Sequence, residues 1–194
     1  MSDAGATRHI LLTGGSSGIG LEAAVLLLQA GHRLTLPCRN AAAATGLRQR
    51  LGGQLQTPVC DLADLSSLER CAESLLAAGE PIDTLVLNAG LQYSGGAEPR
   101  WSAQGFELTI AVNHLAHQAL LQRLLPLLLR GTAPRLVVTA SEVHDPSSAG
   151  GRWAQRPAWA IWLGCARGLG RRCWMAAPAS MPRRPTKTAS FATC

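Results

Sequence analysis

The residues best suited to chemistry follow the apolar run Ile10-Leu11-Leu12 and read Thr-Gly-Gly-Ser-Ser-Gly-Ile-Gly. A strand that ends in a glycine-rich turn and continues into a helix presents free backbone N–H groups and a helix N-terminus, a combination that binds pyrophosphate. Gly14 would permit the tight turn, Gly18 the close approach of the ligand and Gly20 the packing of the helix. The alternative is a plain chain reversal, which also uses glycine. The candidate pyrophosphate site comprises Gly14, Ser16, Ser17, Gly18, Ile19 and Gly20.

Charged residues follow the next two apolar runs. Arg39 stands in Cys-Arg-Asn, where a guanidinium can pair with a ribose 2′-phosphate and an acidic residue would favour the free 2′-hydroxyl. This arginine predicts NADP rather than NAD as the cofactor; the alternative is a solvated arginine. Asp61-Leu62 could hold the adenine edge, and the alternative for Asp61 is a cap on the helix that starts near Leu65.

Small and polar residues follow the remaining apolar runs. Asn88-Ala89-Gly90 supplies a small-residue gap beside a dinucleotide, or a routine turn. Asn113 interrupts an apolar helical pattern, and because Asn lowers helix propensity it needs a surface position or a local partner. The hydroxyl of Ser141 could orient a substrate carbonyl, or it could cap a turn.

Apolar strand-like runs alternate with helical patterns up to about residue 145, which predicts repeated βαβ units. The fold class is α/β, a doubly wound parallel sheet of the Rossmann type that lacks its C-terminal part. Several of the candidate loop residues then fall at the carboxyl ends of strands, where ligands bind in such sheets. The predicted strands are 9–12, 33–37, 56–60, 84–87 and 135–139, and the predicted helices are 18–30, 41–51, 65–77 and 103–130, the last interrupted near Asn113.

Composition indicates one soluble domain, with 194 residues and 47% hydrophobic content. We expect a cytoplasmic protein with reduced thiols and no membrane span, since no signal peptide is evident and the Leu-rich run 120–129 is broken by Arg123 and Pro126. His114 and His117 are three residues apart on a predicted helix, but no companion metal ligand is near, which favours ordinary packing or solvent-facing roles over a metal site.

Charged residues are distributed unevenly along the chain. Residues 1–145 hold all twelve acidic residues and ten Arg, whereas 146–194 hold seven Arg, one Lys and four of the five Trp. We therefore predict an NADP-binding domain over 1–148 and a basic, Trp-, Arg- and Pro-rich tail over 149–194 that is irregular or non-native. Such a tail could bind nucleic acid, but we predict no nucleic-acid partner.

Taken together and in order, these motifs resemble those of the short-chain dehydrogenase/reductase family over about residues 8–146. Cys38-Arg39, Asn113-His114-Leu115 and His144-Asp145-Pro146 resemble the branch of retinol dehydrogenases and light-dependent protochlorophyllide reductase. The resemblance implies a nicotinamide dinucleotide as cofactor and hydride transfer to a carbonyl or alkene of an unidentified small molecule. It also implies that Ser141 orients the substrate and that Asn113 supports a proton-relay water, and it leaves a homo-oligomer open.

The sequence departs from this family at the proton donor. The family uses a Tyr with a Lys four residues later, which favours the phenolate by its charge. The single Tyr here is Tyr93 and the single Lys is Lys187. This departure raises a second hypothesis, that of a nucleotide-binding fragment without catalytic competence.

A frame shift near 150–153 would account for both the tail and the missing pair. Codons that encode residues 184–194 can be chosen so that reading two bases later gives Ala-Tyr-Lys-Asp-Ser-Lys-Leu-Cys-Asn-Val, which contains Tyr-x-x-x-Lys. The hypothesis treats 151–194 as non-native sequence.

Overall fold

The computed structural model describes residues 6–92 and 99–141. Within them, five parallel strands form one sheet in the order β3-β2-β1-β4-β5, the arrangement of a Rossmann-type sheet. The doubly wound α/β class predicted from the sequence is therefore confirmed. The strands are β1 (His9–Leu12), β2 (Arg33–Thr35), β3 (Leu55–Gln56), β4 (Thr84–Leu87) and β5 (Arg135–Val138).

Helices connect these strands. Asn40 and Asp64 cap the second and third helices, since their side chains accept the N–H groups of Ala43 and Ser66. The helices are α1 (Gly18–Gln29), α2 (Ala41–Leu51), α3 (Leu65–Ala78), α4 (Leu108–Ile110) and α5 (Ala116–Leu128), the last two joined by a π turn (Ala111–Leu115).

The sheet carries a hydrophobic cluster on each face. Ile10 and Leu12 of β1 pack in the cluster that includes Leu21 of α1 and Leu47 of α2. Leu11 belongs to the other cluster, which contains the buried hydrophobic residues of α3 and α5. Successive strand residues point to opposite faces, so the apolar run of β1 is buried on both sides.

Strands β2 and β3 are shorter than predicted. Expected over 33–37 and 56–60, they pair regularly only over 33–35 and 55–56, and an isolated bridge joins Cys38 and Val59 beyond them. Pro37 and Pro58 interrupt both segments, and proline has no N–H to donate to a ladder. The bounds of β1, β4 and α2 agree with the prediction.

The helix predicted over 103–130 begins five residues later. Residues 101–107 instead form a tight turn, with an antiparallel bridge between Trp101 and Glu107 and with Gly105 at φ +77°. The Ser102 hydroxyl accepts the N–H of Phe106 at 3.1 Å. This local bond competes with helix formation, so the helix starts at Leu108.

Two compact units divide the described residues, 6–91 with 110–139 in one and 92, 99–109 and 140–141 in the other. The predicted tail 149–194, Tyr93, Lys187 and the motif at 144–146 lie outside the described residues. Among the residues described, no helix is long and apolar enough to span a membrane.

Candidate cofactor-binding site

The glycine-rich turn begins at Thr13, which is fully buried at the end of β1 and donates its N–H to the carbonyl of Val86 at 3.0 Å. Gly14 follows at φ +71°, a left-handed conformation that favours glycine. A Cβ on Gly14 would lie 2.8 Å from the Cα of Ala89. The turn is thus pressed against the loop after β4, and Gly14 provides both the turn and the close approach.

Gly20 makes the second close contact. A Cβ at this position would overlap the carbonyl of Gly14 and come within 2.7 Å of Asn88 Nδ2. Gly20 therefore lets α1 pack against its own entry turn and against Asn88. By contrast, a Cβ on Gly18, at φ +53°, would meet no atom within 4 Å, so this side of the turn is open to solvent.

The N-terminus of α1 is open as well. Its N-cap, Ser17, makes no side-chain capping bond, although the N-caps of α2 and α3 do. Residues 16–19 are exposed, and Ile19 is 82% exposed. The first N–H groups of a helix have no intrahelical acceptor, so this end can bind an anion.

Asn88 and Ala89 join the loop after β4 to the turn. Their N–H groups both donate to Thr13 Oγ1, at 2.9 and 3.0 Å. Asn88 Nδ2 donates to the carbonyl of Thr13 at 3.2 Å, and Asn88 Oδ1 accepts from the hydroxyl of Thr139 at 3.2 Å. Asn88 thus links the ends of three adjacent strands, β1, β4 and β5.

Asn113 lies in the π turn and binds the same loop. Its Oδ1 accepts the N–H of Leu91 at 2.8 Å, and its Nδ2 donates to the carbonyl of Leu91 at 2.9 Å. Gly90 lies directly beneath, where a Cβ would be 3.7 Å from Asn113 Oδ1. The sequence predicted a surface position or a local partner; the residue is exposed, and its partner is 22 positions away.

Arg39 and Asp61 follow two strand extensions that are hydrogen-bonded to each other. The N–H of Cys60 donates to the carbonyl of Cys38 at 2.7 Å, which brings these two chain segments side by side. Arg39 is exposed and has no ion-pair or hydrogen-bond partner in the part of the chain that the structure describes. Its guanidinium is therefore available to an anion.

Asp61 does not cap α3, so that alternative is wrong. The cap is Asp64, whose Oδ1 accepts the N–H of Ser66 at 2.9 Å. Asp61 Oδ1 instead accepts the N–H of Ala63 at 2.9 Å in a local turn, and Leu62 packs against the core. Ser141 is exposed in the segment after β5.

One residue that the sequence did not assign to the site, His117, lies at its base. His117 is buried, and a hydrogen bond of 3.1 Å joins its Nε2 to Thr13 Oγ1. Burial lowers the pKa of His117, against a hydrogen bond to the backbone of Asn113 that raises it. His114 is exposed, and the described residues contain no cluster of three candidate metal ligands. The contact of His117 with Thr13 spans 104 positions, and no sequence pattern signals it.

A cleft lies at the edge of the sheet where the strands begin, away from the glycine-rich turn. It has a volume of about 410 Å³ and is lined by His9, Arg33 and Asp83, where strands begin. The residues predicted from the sequence are not part of it. The predicted loop residues of 13–20, 39, 61–62 and 88–90 follow the ends of strands, as expected for ligands of an open α/β sheet.

The fold and the turn define an α/β protein of the dinucleotide-binding class. Residues 8–151 match the family model for short chain dehydrogenases. The chain therefore belongs to the short chain dehydrogenase family, whose members are NAD(P)-dependent oxidoreductases.

Relatives support the branch that the motifs predicted. The chain is 35% identical over 152 residues to retinol dehydrogenase 14 of Mus musculus, covering 71% of this chain and 45% of that protein. It is 31% identical over 148 residues to protochlorophyllide reductase A of Oryza sativa subsp. japonica, covering 73% and 38%. An alcohol dehydrogenase from Thermococcus sibiricus complexed with 5-hydroxy-NADP is 30% identical, with a TM-score of 0.59 over 75% of this chain and 63% of that one. The chain thus spans less than half the length of these two curated relatives.

Proposed function

We propose that this chain binds NADP at the carboxyl edge of its sheet and that its inherited chemistry is hydride transfer to a carbonyl or alkene. The observation that carries the proposal is the open, uncapped N-terminus of α1 behind the turn at Gly14 and Gly18. Its N–H groups and dipole suit a pyrophosphate. The residues that would hold the cofactor are Gly14, Ser16, Ser17, Gly18, Ile19, Gly20, Arg39, Asp61, Leu62, Asn88, Ala89 and Gly90.

The preference for NADP rests on Arg39. An exposed guanidinium beside the second strand can bind a 2′-phosphate through charge-assisted hydrogen bonds. The Thermococcus sibiricus structure carries an NADP derivative, which agrees with this preference. When bound, the nicotinamide would accept or donate the hydride.

Asn113 and Ser141 are the proposed catalytic residues. The side-chain amide of Asn113 is hydrogen-bonded to the backbone of Leu91. Asn113 would support a proton-relay water. The Ser141 hydroxyl would orient a substrate oxygen.

The second candidate is dinucleotide binding without turnover. The 194 residues contain no Tyr-x-x-x-Lys, and a proton donor of this kind contributes about 10² to 10⁴-fold to the rate. For the chain with this sequence, we favour binding without turnover.

NADPH fluorescence separates the possibilities. Saturable enhancement with the full chain supports the cofactor site, and absence of binding refutes it. Oxidation of NADPH in the presence of a panel of carbonyls and alkenes supports hydride transfer by this chain. Binding without oxidation supports dinucleotide binding without turnover.

A further inference from the structure

His117 is a buried histidine that links two segments of the candidate site. It is 6% exposed on the helix that follows the π turn. Its Nε2 is 3.1 Å from Thr13 Oγ1, and the ring also forms a hydrogen bond with the backbone of Asn113. One imidazole therefore connects the start of the glycine-rich turn to the π turn.

The donors and acceptors around Thr13 determine the direction of this bond. Its hydroxyl oxygen has two lone pairs, and both accept N–H groups, from Asn88 and from Ala89. Its single proton can go to His117 Nε2 at 3.1 Å or to the carbonyl of Val86 at 3.4 Å. The shorter contact makes Thr13 the donor and Nε2 the acceptor.

A neutral ring satisfies every partner in this arrangement. With Nε2 as acceptor, the other ring nitrogen carries the proton and donates to the carbonyl of Asn113. A protonated ring would place a third donor on an oxygen with two lone pairs. In the described part of the chain the titratable neighbour is His114 in the preceding π turn, and the partners from the other segments, Thr13, Asn88 and Ala89, are uncharged.

We propose that His117 is a positioning residue, whose neutral imidazole holds Thr13 and Asn113 so that the glycine-rich turn and the loop 88–91 present their backbone to the dinucleotide. This inference rests on the proposed function, because it concerns the same site. His117 acts through Thr13 and the two N–H groups that Thr13 receives. It does not itself touch the cofactor.

Affinity for NADPH tests the proposal in the full chain. His117→Leu removes both hydrogen bonds, and we expect it to weaken binding by about tenfold. His117→Gln keeps one donor and one acceptor, so its affinity should stay within about threefold of wild type. His114→Gln is the matched control. This exposed histidine lies in the π turn that precedes the helix of His117, and its replacement should leave affinity unchanged.

The pH profile gives a readout that a purely structural role would not move. Binding of NADP⁺ is followed by calorimetry from about pH 7.5 to about pH 5.5 in wild type and in His117→Gln. The 2′-phosphate titrates in both proteins, so their difference isolates His117. We expect wild type to lose more affinity in acid than the Gln variant.

Two results would overturn the inference about His117 and leave the proposed function standing. One is equal affinity of wild type and His117→Leu for NADPH, and the other is the same pH dependence of NADP⁺ binding in wild type and His117→Gln. Absence of NADPH binding by wild type would instead refute the proposed function, and this inference with it. If circular dichroism shows that His117→Leu is unfolded, the comparison of pH profiles decides.

Discussion

The side-chain amide of Asn113 and the backbone of Leu91 form a reciprocal pair, with bonds of 2.8 and 2.9 Å. The pair fastens the π turn to the loop that follows β4. A π turn inserts one residue into a helix and is frequent at functional sites. In this chain the π turn carries Asn113, whose side-chain amide is fixed by the backbone of Leu91.

Replacing Asn113 with Ala should loosen this loop. Loss of two hydrogen bonds is expected to lower the free energy of unfolding by about 1–3 kcal/mol and to weaken NADPH binding, since Asn88 to Gly90 lie in the same loop. Urea unfolding and fluorescence titration measure the two effects. Gln118→Ala, which removes an exposed amide from α5 directly after the π turn, is the control. Equal behaviour of the two variants would show that the pair has no such role.

Arg39 should discriminate between the two dinucleotides. Arg39→Ala is expected to weaken NADPH binding by about ten- to a hundredfold, because it removes a charged partner of the 2′-phosphate, and to leave NADH binding unchanged. Arg50→Ala, which removes an exposed arginine at the far end of α2, should change neither affinity. A parallel loss for NADH in Arg39→Ala contradicts the assignment.

Gly20 should tolerate no side chain. A methyl group would overlap the carbonyl of Gly14, so Gly20→Ala is expected to lower the free energy of unfolding by about 1–3 kcal/mol and to reduce NADPH binding. Gly46→Ala is the matched control, because a Cβ there meets no atom within 4 Å in the middle of α2. It should stabilise the chain by about 0.5–1 kcal/mol. Urea unfolding in which the two variants behave alike would refute the packing argument.

The protein should lose stability in acid through His9 and His117. Burial lowers the pKa of both rings; around His9, a hydrogen bond to Pro81 and the charges of Glu80 and Asp83 oppose the shift and Arg33 reinforces it. A lowered folded pKa means that the unfolded state binds more protons. The stabilisation is therefore complete above the unfolded pKa of about 6.5 and declines as the pH falls toward the folded pKa.

Urea unfolding between about pH 7.5 and about pH 5 measures the slope of the free energy of unfolding against pH. Replacing either histidine with Gln should flatten it relative to wild type. The exposed His114 is the control, and His114→Gln should retain the wild-type slope. Wild-type stability that is constant over this range would contradict the expectation.

The coding DNA tests the frame-shift hypothesis. We expect the neighbouring frame beyond about codon 150 to encode Tyr-x-x-x-Lys near the codons for 185–189. Absence of that pattern from both alternative frames would refute the hypothesis, and the basic segment would then need its own explanation.

Local signals predicted much of the fold. The bounds of β1, β4 and α2 follow from the apolar and helical patterns of the sequence. The start of α4 was missed because Gly105 and the Ser102 hydroxyl stabilise a turn in a stretch whose pattern is helical.

The sequence identified candidate residues of the site, but it did not predict the contacts that join them. The glycine pattern located the turn because glycine has a distinctive backbone role. The bond between His117 and Thr13 joins residues 104 positions apart, and the sequence pattern predicted for His117 only a packing or solvent-facing role. Long-range pairing of this kind is a property of the folded chain.

Hydrogen–deuterium exchange of the full chain, with and without NADP⁺, tests the central claim most directly. We predict that the cofactor protects backbone amides in 13–20 and 88–91, where the turn and the loop after β4 meet. Protection confined to the cleft at His9, Arg33 and Asp83, or no protection in 13–20 at saturating NADP⁺, would contradict the proposed site.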